Sequence, residues 1–423
     1  MKGAILAIGN ELVRGRILNT TSFWAARWLL LEGYEIQEIL TVPDELGLIE
    51  SRLRDFLSQY AFCLVSGGLG PTTDDITNEA VAKALGRPLI TNEEMVRRIK
   101  ERERVQNLPH NPLRLRMARL PEGAILLTNT QAMAGYYIIL DKKLLFCLPG
   151  VPHEFEHLLK ARVIPLLKEK LPVKGAVRSR LYKIFGLREA DINLKLKALE
   201  DSSGVTLGYY PVLPEIHLSV LIKASSEAET EKLFEKVHHK ITEAFHPYIF
   251  GHDEDLLEAV IGKLLTSRKE TLAVAESCTG GLIASRITRI PGSSNYFERG
   301  VVTYSNQAKM EILGVPEEIL ASYGAVSEPV ALAMAEGVRK LAKTNYGLSV
   351  TGIAGPTGGS PEKPVGTVWI GFSCEKATVA QCFLFPGDRH LVQDYAAGTA
   401  LDWLRQYLAY GTLIPRYQFA CRS

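Results

Sequence analysis

Ser277 lies where the sequence predicts a turn from a strand into a helix. The apolar run from Thr271 to Val274 is typical of a buried strand, and a helical pattern runs from Leu282 to Ile290. Gly280 and Gly281 separate the serine from that helix. A hydroxyl at such a turn lies beside the unpaired N–H groups of a helix start, so it can be a nucleophile whose oxyanion is stabilised. The alternative is a serine that caps the helix, since Ser is a preferred N-cap residue.

Four more side chains with useful chemistry lie near the ends of predicted strands in the same part of the chain. They are Tyr304, Lys309, Thr351 and Arg389. A desolvated lysine can be the base that a serine nucleophile needs, and Thr and Tyr hydroxyls can relay protons or orient the base. An arginine beside a glycine-rich loop suits a phosphate group. Each residue alone also has a structural explanation. Lys309 could lie on a helix surface, and Tyr304 could be a core aromatic with a solvated tip. Thr351 could be an ordinary β-branched strand residue, and Arg389 a surface ion-pair partner.

Two loops near the N-terminus also come directly after predicted strands. Glycines let backbone N–H groups approach a phosphate, and paired aspartates can hold Mg²⁺ together with substrate oxygens. The alternative is a tight turn in which an aspartate caps the next helix. The candidate nucleotide-site residues are Gly9, Asn10, Glu11, Gly67, Gly68, Gly70, Asp74 and Asp75, of which Asp74 and Asp75 are also the candidate metal ligands.

The segment from Arg97 to Arg119 is strongly basic, with eight Lys or Arg residues against two Glu. Such a run is usually the solvated face of a helix. The functional alternative is a lid whose basic side chains contact a diphosphate. Further along, His153 and His157 have H-E-x-x-H spacing, which can place two imidazoles on one helix face for zinc. No recognisable motif downstream supplies a third ligand, so a zinc protease is not expected.

Composition and charge place the 423-residue chain among ordinary globular proteins, with 46% hydrophobic and 23% charged residues. The formal net charge of only +2 gives no field that would favour nucleic acid or a membrane surface as a partner. The N-terminus runs into a strand pattern without a signal peptide, and no apolar run is long enough to span a bilayer. Six scattered cysteines without C-x-x-C spacing indicate reduced thiols, so we expect a cytoplasmic protein.

The order of predicted elements indicates two three-layer α/β domains with mostly parallel or mixed sheets, joined by a small α+β domain. Strands and helices alternate over residues 1–170 and again over 254–412, and 175–250 forms the small domain. One strand is predicted to end at Tyr304. Because ligands bind beyond the carboxyl ends of parallel strands, the motifs described above are expected at sheet edges. The small domain has no GxxG loop of the kind that binds nucleic acid.

The chain resembles the CinA proteins over nearly its full length. In the last domain the resemblance rests on the motifs AESCTGG, PGSS, GVVTYSNQAK, GAVSE, VTGIAGP, KPVGTV and FPGDR. That domain is similar to the nicotinamide mononucleotide deamidase domain, an amidohydrolase of pyridine nucleotide salvage. The similarity implies hydrolysis of the carboxamide to the acid and ammonia, with no cofactor. The small domain corresponds to the family's KH-like linker domain.

The resemblance also implies roles for individual residues of the last domain. Ser277 matches the catalytic serine, and Lys309 and Tyr304 match a proton-transfer group. Thr351 matches an active-site threonine. The expected substrate-binding residues are Thr279, Gly280, Gly281, Gly352, Gly355 and Arg389. We further hypothesise that the N–H groups of Gly280 and Gly281 help to form the oxyanion hole.

The first domain resembles the molybdopterin-binding MoaB/MogA fold through Gly9–Leu12, Gly67–Asp75 and Leu148–Gly150. The N-terminal domain of the CinA proteins is associated with a metal-dependent ADP-ribose pyrophosphatase, so the resemblance to that family implies this activity, with a divalent metal such as Mg²⁺. The sequence departs from the family pattern at Asn10, where Thr or Asp is usual, and at Asn19, where Asp is common. The alternative is a nucleotide- or pterin-binding, competence-associated protein without N-terminal catalysis. Both α/β families commonly self-associate, so we expect a homodimer.

Overall fold

The computed structural model describes residues 1–127 and 134–421, which fall into two compact units. Unit 1 comprises Met1–Val177 and Ala224–Glu227. Unit 2 comprises Arg178–Lys223 and the described residues from Ala228 onward. None of the helices in the described ranges combines the length and the apolar composition that crossing a bilayer requires.

Within the described residues, unit 1 contains an α/β domain with a six-stranded mixed sheet and a separate two-stranded sheet. Its strands are β1 (Lys2–Ile8), β2 (Glu35–Val42), β3 (Phe62–Ser66), β4 (Leu89–Thr91), β5 (Arg119–Pro121), β6 (Ile125–Leu126), β7 (Tyr136–Leu140) and β8 (Lys143–Leu148). Its helices are α1 (Asn10–Val13), α2 (Thr20–Leu31), α3 (Leu46–Gln59), α4 (Thr77–Leu85), α5 (Glu93–Val105), α6 (Pro152–Leu158) and α7 (Ile164–Lys170). The sheet order is β2-β1-β3-β8-β7-β6, and β4 pairs with β5. Because β2, β1, β3 and β8 run parallel, their carboxyl ends meet at one edge.

The small middle domain is an α+β unit with a four-stranded sheet. Its elements are β9 (Ala176–Phe185), α8 (Glu189–Glu200), β10 (Val205–Val212), β11 (Glu215–Ala224), α9 (Glu227–Phe245) and β12 (Ile249–His252). The sheet order is β10-β11-β9-β12. Apolar residues of both helices and of the sheet share one core, so the helices cover one face.

The last domain has a five-stranded sheet between two layers of helices. Its strands are β13 (Leu272–Glu276), β14 (Phe297–Val302), β15 (Tyr346–Gly352), β16 (Thr367–Ser373) and β17 (Thr378–Leu384). Its helices are α10 (Leu257–Arg268), α11 (Leu282–Thr288), α12 (Asn306–Leu313), α13 (Glu317–Tyr323), α14 (Glu328–Ala342) and α15 (Arg389–Tyr410). The order is β14-β13-β15-β16-β17, with β14, β13 and β15 parallel and the last two strands antiparallel.

The hydrophobic pattern explains why the sheet of the last domain is covered on both sides. Strand β13 is buried over its whole length, as expected for a central parallel strand between two helical layers. One core lies under α10, α11 and α15, and a second lies under α14. In α14 the buried residues recur with helical spacing, which turns one apolar stripe towards the sheet. These features confirm the predicted fold class.

Two strand ends differ from the sequence prediction, and both differences shape the site. Strand β13 reaches Glu276, so Ser277 follows it directly. Strand β14 ends at Val302 rather than at Tyr304. The reason is that the carbonyls of Thr303 and Tyr304 accept hydrogen bonds from a lysine side chain instead of from a neighbouring strand.

Candidate active site

The three parallel strands of the last domain bring candidate residues to one edge of the sheet. Ser277 follows β13, and its N–H donates to the Val350 carbonyl in β15 (2.9 Å). Thr303 follows β14, and its N–H donates to the Glu276 carbonyl (2.8 Å). Thr351 lies near the end of β15. The parallel register therefore aligns these strand ends, as in other α/β sheets that bind ligands there.

Lys309 and Ser277 form a buried pair at this edge. Lys309 lies in α12 and is 1% exposed, and Ser277 is 7% exposed. Lys309 Nζ is 3.1 Å from Ser277 Oγ. The same nitrogen donates to the carbonyls of Thr303 (2.8 Å) and Tyr304 (3.4 Å). The structure thus brings the predicted nucleophile and the predicted base within hydrogen-bond distance.

Lys309 Nζ has three oxygen neighbours, which can accept from an ammonium with three N–H bonds and which also accommodate the neutral amine that a base requires, with two N–H bonds and one lone pair. Since carbonyl oxygens only accept, the two N–H bonds satisfy the Thr303 and Tyr304 carbonyls. The lone pair is then left for the hydroxyl of Ser277. Burial lowers the pKa of Lys309 from its ordinary value of 10.5, because the charged form loses its hydration. This arrangement can take a proton from the serine.

A buried carboxylate organises the turn between Ser277 and α11. Glu276 is completely buried at the end of β13. Its oxygens accept three backbone hydrogen bonds, from Gly281 (3.0 Å), Ile283 (3.1 Å) and Ala284 (2.9 Å). A buried carboxylate is stable only when such donors satisfy it, so Glu276 fixes the start of α11 against the strand. Glu276 is therefore a positioning residue for the serine turn.

The hypothesis that Gly280 and Gly281 form the oxyanion hole is wrong. The Gly281 N–H donates to Glu276, and the Gly280 N–H donates to the carbonyl of the nucleophilic serine (3.2 Å). Both glycines have positive φ, 63° and 98°, which explains the residue type at this sharp turn. No oxygen acceptor among the described residues is paired with the N–H of Cys278 or Thr279, so these two are the donors left at the turn.

Replacing Glu276 by Gln should destabilise the last domain, because an amide has one acceptor oxygen and turns an NH₂ group towards backbone donors. We expect the free energy of unfolding to fall by about 3 kcal/mol, which would appear as a lower midpoint of urea unfolding. The matched control is Glu317→Gln, which removes an exposed carboxylate at the N-terminus of α13. That change should cost less than about 1 kcal/mol. Equal losses in the two variants would contradict the positioning role.

Arg389 and Tyr304 form a second cluster that is joined to the lysine–serine pair. Arg389 donates from Nη1 to the Gly355 carbonyl (2.8 Å) and from Nη2 to the Tyr304 hydroxyl (3.1 Å). Tyr304 is 63% exposed, and its carbonyl is the one that accepts from Lys309. The phenol therefore contacts the arginine and not the lysine. A proton-transfer role for Tyr304 stays a prediction.

Thr351 and the glycine loop after it are held by contacts within the protein. The Thr351 hydroxyl donates to the Ala325 carbonyl (2.8 Å). A Cβ at Gly352 would come within 2.7 Å of the Val368 side chain, so glycine is needed for close packing of β15 on β16. Gly355 has a φ of +86°, which favours glycine. Roles for these residues in binding substrate stay predictions.

Three residues at the site were assigned no role from the sequence: Glu276, Thr303 and Gln393. Gln393, in α15, donates to the Cys278 carbonyl (2.7 Å). The hydroxyls of Thr279 and Thr303 are buried and have no hydrogen-bond partner within the described ranges. A charged residue inside an apolar strand was a usable signal for Glu276. Nothing local marks a backbone carbonyl or a glutamine 115 residues away.

Unit 1 contains a cavity of about 760 Å³ at the carboxyl ends of β1, β3 and β8. Seven of the predicted residues line it: Gly9, Glu11, Gly67, Gly68, Gly70, Asp74 and Asp75. Asn10 does not line it, but its backbone N–H donates to Asp44 Oδ2 (2.8 Å), and Asp44 is one of the lining residues. Arg102 and Arg114 of the basic run line the cavity, whereas Arg97 and Lys100 lie on the solvated face.

Asp74 and Asp75 form a tight turn with Thr72. The Thr72 hydroxyl is 2.5 Å from Asp74 Oδ1 and 2.5 Å from Asp75 Oδ2, and its bond to Asp74 lowers the pKa of that carboxyl. Burial raises the pKa of Asp44, and the charges of Glu11, Asp74 and Asp75 add to the effect. No cluster of three or more metal-ligating side chains occurs in residues 1–127 and 134–421. Two carboxylates fit Mg²⁺ only together with substrate oxygens.

Family models match three successive parts of the chain. Residues 4–169 match the probable molybdopterin binding domain. Residues 179–251 match the KH domain of the damage-inducible protein CinA, and residues 254–408 match the CinA C-terminal domain.

Several proteins are similar to the chain over nearly its whole length. A CinA-like protein of Desulfotalea psychrophila is 42% identical over 406 residues, which cover 96% of this chain and 98% of that protein. A putative competence-damage inducible protein of Desulforudis audaxviator is 38% identical over 410 residues, covering 96% and 99%. The crystal structure of the competence/damage inducible protein CihA from Agrobacterium tumefaciens is 41% identical, with a TM-score of 0.35, and covers 35% of this chain and 92% of that one. The chain belongs to the CinA family.

Proposed function

We propose that the last domain hydrolyses the carboxamide of nicotinamide mononucleotide, giving nicotinate mononucleotide and ammonia. The observation that carries the proposal is the buried Lys309 amine 3.1 Å from the Ser277 hydroxyl, at the edge of a parallel sheet. A serine that a neutral lysine deprotonates can attack an amide carbonyl. A serine–lysine pair alone could hydrolyse many small amides. The choice of nicotinamide mononucleotide as the substrate rests on the resemblance of the surrounding motifs to the deamidase domain.

In the proposed reaction, Ser277 Oγ attacks the carboxamide carbon while its proton passes to Lys309 Nζ. The N–H groups of Cys278 and Thr279 stabilise the oxyanion. The Lys309 ammonium then gives the proton to the departing nitrogen, which leaves as ammonia, and an ester on Ser277 remains. Water attacks this ester while Lys309 Nζ takes its proton, the bond between the acyl carbon and Ser277 Oγ breaks, and the Lys309 ammonium returns the proton to Oγ as the acid leaves. Lys309 performs every proton transfer, so the proposed reaction requires no metal ion.

The direct test is to incubate the purified chain with nicotinamide mononucleotide and to quantify ammonia and nicotinate mononucleotide. Both products should appear in equal amounts. A folded protein that forms neither product would overturn the proposal and favour a nucleotide-sensing or partner-binding role.

Arg389→Gln should weaken binding of the substrate phosphate, because the guanidinium is the cation beside the glycine loop. One or two charge-assisted hydrogen bonds correspond to a rise in KM of about 10- to 100-fold, with kcat little changed. Nicotinamide riboside, which lacks the phosphate, is the matched substrate, and its kcat/KM should be the same for both proteins. Equal losses for the two substrates would show that Arg389 does not bind the phosphate.

We also propose that the cavity of unit 1 binds ADP-ribose and hydrolyses its diphosphate, with Mg²⁺ held by Asp74 and Asp75 together with substrate oxygens. The favouring observation is that glycine backbone, two arginines and these carboxylates line one cavity. A chelator should therefore abolish AMP release from ADP-ribose and leave ammonia release from nicotinamide mononucleotide unchanged. Equal sensitivity of both reactions would contradict the assignment of the metal to unit 1.

The competing proposal for unit 1 is pterin binding without catalysis. A ligand that binds only the folded state raises the midpoint of thermal unfolding. Stabilisation by a pterin, without stabilisation by ADP-ribose, would favour that alternative.

We further propose that the chain forms a homodimer, which sedimentation at micromolar concentration would test.

A further inference from the structure

The segment after α15 folds back on the last domain and joins its core. Tyr417 is buried, and its hydroxyl donates to Asp402 Oδ2 (2.9 Å). The Phe419 ring lies 5.0 Å from that of Tyr395 and 6.0 Å from that of Phe385, measured between centroids. These contacts hold the segment in one place relative to the sheet.

The end of this segment pairs with β17, the edge strand of the sheet. The Leu384 N–H donates to the Phe419 carbonyl (2.9 Å), and the Cys421 N–H donates to the Cys382 carbonyl (2.9 Å). Phe383 and Ala420 form an antiparallel bridge between these two bonds. Edge strands present unpaired backbone groups, and here the chain's own C-terminal segment satisfies some of them.

The pairing places two thiols side by side. Cys382 and Cys421 are opposite each other, and their sulfur atoms are 2.8 Å apart. Opposite residues in an antiparallel pair have Cα atoms about 5.5 Å apart, within the range that a disulfide spans. Cys421 is exposed, Cys382 is half-buried, and the other four cysteines are buried.

We propose that Cys382 and Cys421 are a peroxide-reactive thiol pair whose oxidation ties the C-terminal segment to β17. The Cys421 thiolate attacks one oxygen of hydrogen peroxide, so that an S–O bond forms, the O–O bond breaks, and hydroxide leaves and is protonated to water. The Cys382 sulfur then attacks the sulfenic sulfur of Cys421. The S–S bond forms, and the leaving hydroxide takes the Cys382 proton as a second water. Two thiols lose two electrons, and one peroxide gains them.

Exposure decides which thiol reacts first. Burial raises the pKa of Cys382, and the neighbouring Cys421 sulfur adds to this, so little thiolate forms there at neutral pH. Cys421 lies at the surface, where peroxide reaches it. Cys382 is then the resolving thiol, already within contact distance of the sulfenic acid.

The test treats the intact protein with hydrogen peroxide, blocks remaining thiols with an alkylating reagent and maps tryptic peptides without reduction. We expect peptides of Cys382 and Cys421 to be joined, with the mass of two hydrogen atoms lost and with reversal by dithiothreitol. Cys421→Ser and Cys382→Ser should each prevent the link, and the matched control Cys374→Ser should keep it. Because Cys421 is exposed near the C-terminus, its replacement leaves the core intact.

Two further readouts separate the proposal from simple surface oxidation. Oxidation should raise the midpoint of thermal unfolding of the wild type and leave that of Cys421→Ser unchanged, because only the wild type closes a loop. A disulfide between two Cys421 residues of different chains, seen as a dimer on a non-reducing gel, would overturn the proposal. Oxidation of Cys421 to sulfinic acid, with the Cys382 thiol still free to react with the alkylating reagent, would also overturn the proposal. None of these readouts depends on amidase activity.

Discussion

Ser277→Ala is expected to abolish ammonia release from nicotinamide mononucleotide. Without Oγ no ester can form, and Lys309 has no proton to accept. We expect kcat/KM to fall by about 10⁴-fold or more, as when the nucleophile of a comparable hydrolase is removed. The substrate should still bind, because Arg389 and the turn's N–H groups remain. Stabilisation of the variant by the nucleotide in thermal unfolding would show this.

The control for this variant is Ser285→Ala, which removes an exposed hydroxyl in α11 and should leave activity unchanged. Activity of Ser277→Ala within tenfold of the wild type would show that another group is the nucleophile. The adjacent Cys278 is a poor substitute, because burial raises the pKa of its thiol to about 12.

Lys309→Met is expected to remove the base while keeping an unbranched side chain of similar length in the buried site. General-base catalysis contributes about 10²- to 10⁴-fold, so we expect kcat to fall within that range or further, with KM little changed. Lys263→Met, on the exposed face of α10, is the matched control and should have full activity. A variant with wild-type kcat would disprove the role of Lys309.

The pH dependence of the wild type gives a second test of Lys309. The base must be neutral, so kcat/KM should fall as pH drops through its lowered pKa and level off above it. Burial places that transition below the ordinary value of 10.5. Lys309→Arg should be inactive at every pH measured, because a guanidinium stays protonated. A rate that still rises past pH 10.5 would show that burial does not lower this pKa.

The same shift predicts how stability depends on pH. The folded-state pKa of Lys309 is lower than its unfolded value, so the unfolded state binds more protons in the window between the two. The contribution of this group to the free energy of unfolding should therefore rise as pH rises through that window. Lys309→Met should lack the rise, which urea unfolding at two pH values within the window would measure.

Local patterns in the sequence determined the fold class and the position of Ser277. Apolar runs and helical periodicity repeat every few residues, so they indicate which segments are strands and helices. The run before Ser277 and the two glycines after it predicted a strand-to-helix turn, and the structure has one. The strand end at Tyr304 was predicted wrongly, because the carbonyls of Thr303 and Tyr304 accept from Lys309 rather than from a neighbouring strand, and no local pattern encodes these bonds.

Only the tertiary structure decided which side chains meet. The local sequence around Lys309 would be the same if its side chain faced solvent. It faces a serine 32 residues away because β13 and β14 are parallel, so the chain enters α12 at the edge of the sheet where Ser277 lies. Arg389 and Tyr304, 85 residues apart, meet because two successive antiparallel pairings give β17 the direction of β15, so that the chain leaves β17 at the same edge of the sheet. Glu276 accepts from the Gly281 N–H that was expected to face the substrate, since a buried carboxylate must be satisfied first. Cys382 and Cys421 come together because the chain end pairs with an edge strand, a long-range contact that cysteine spacing does not express.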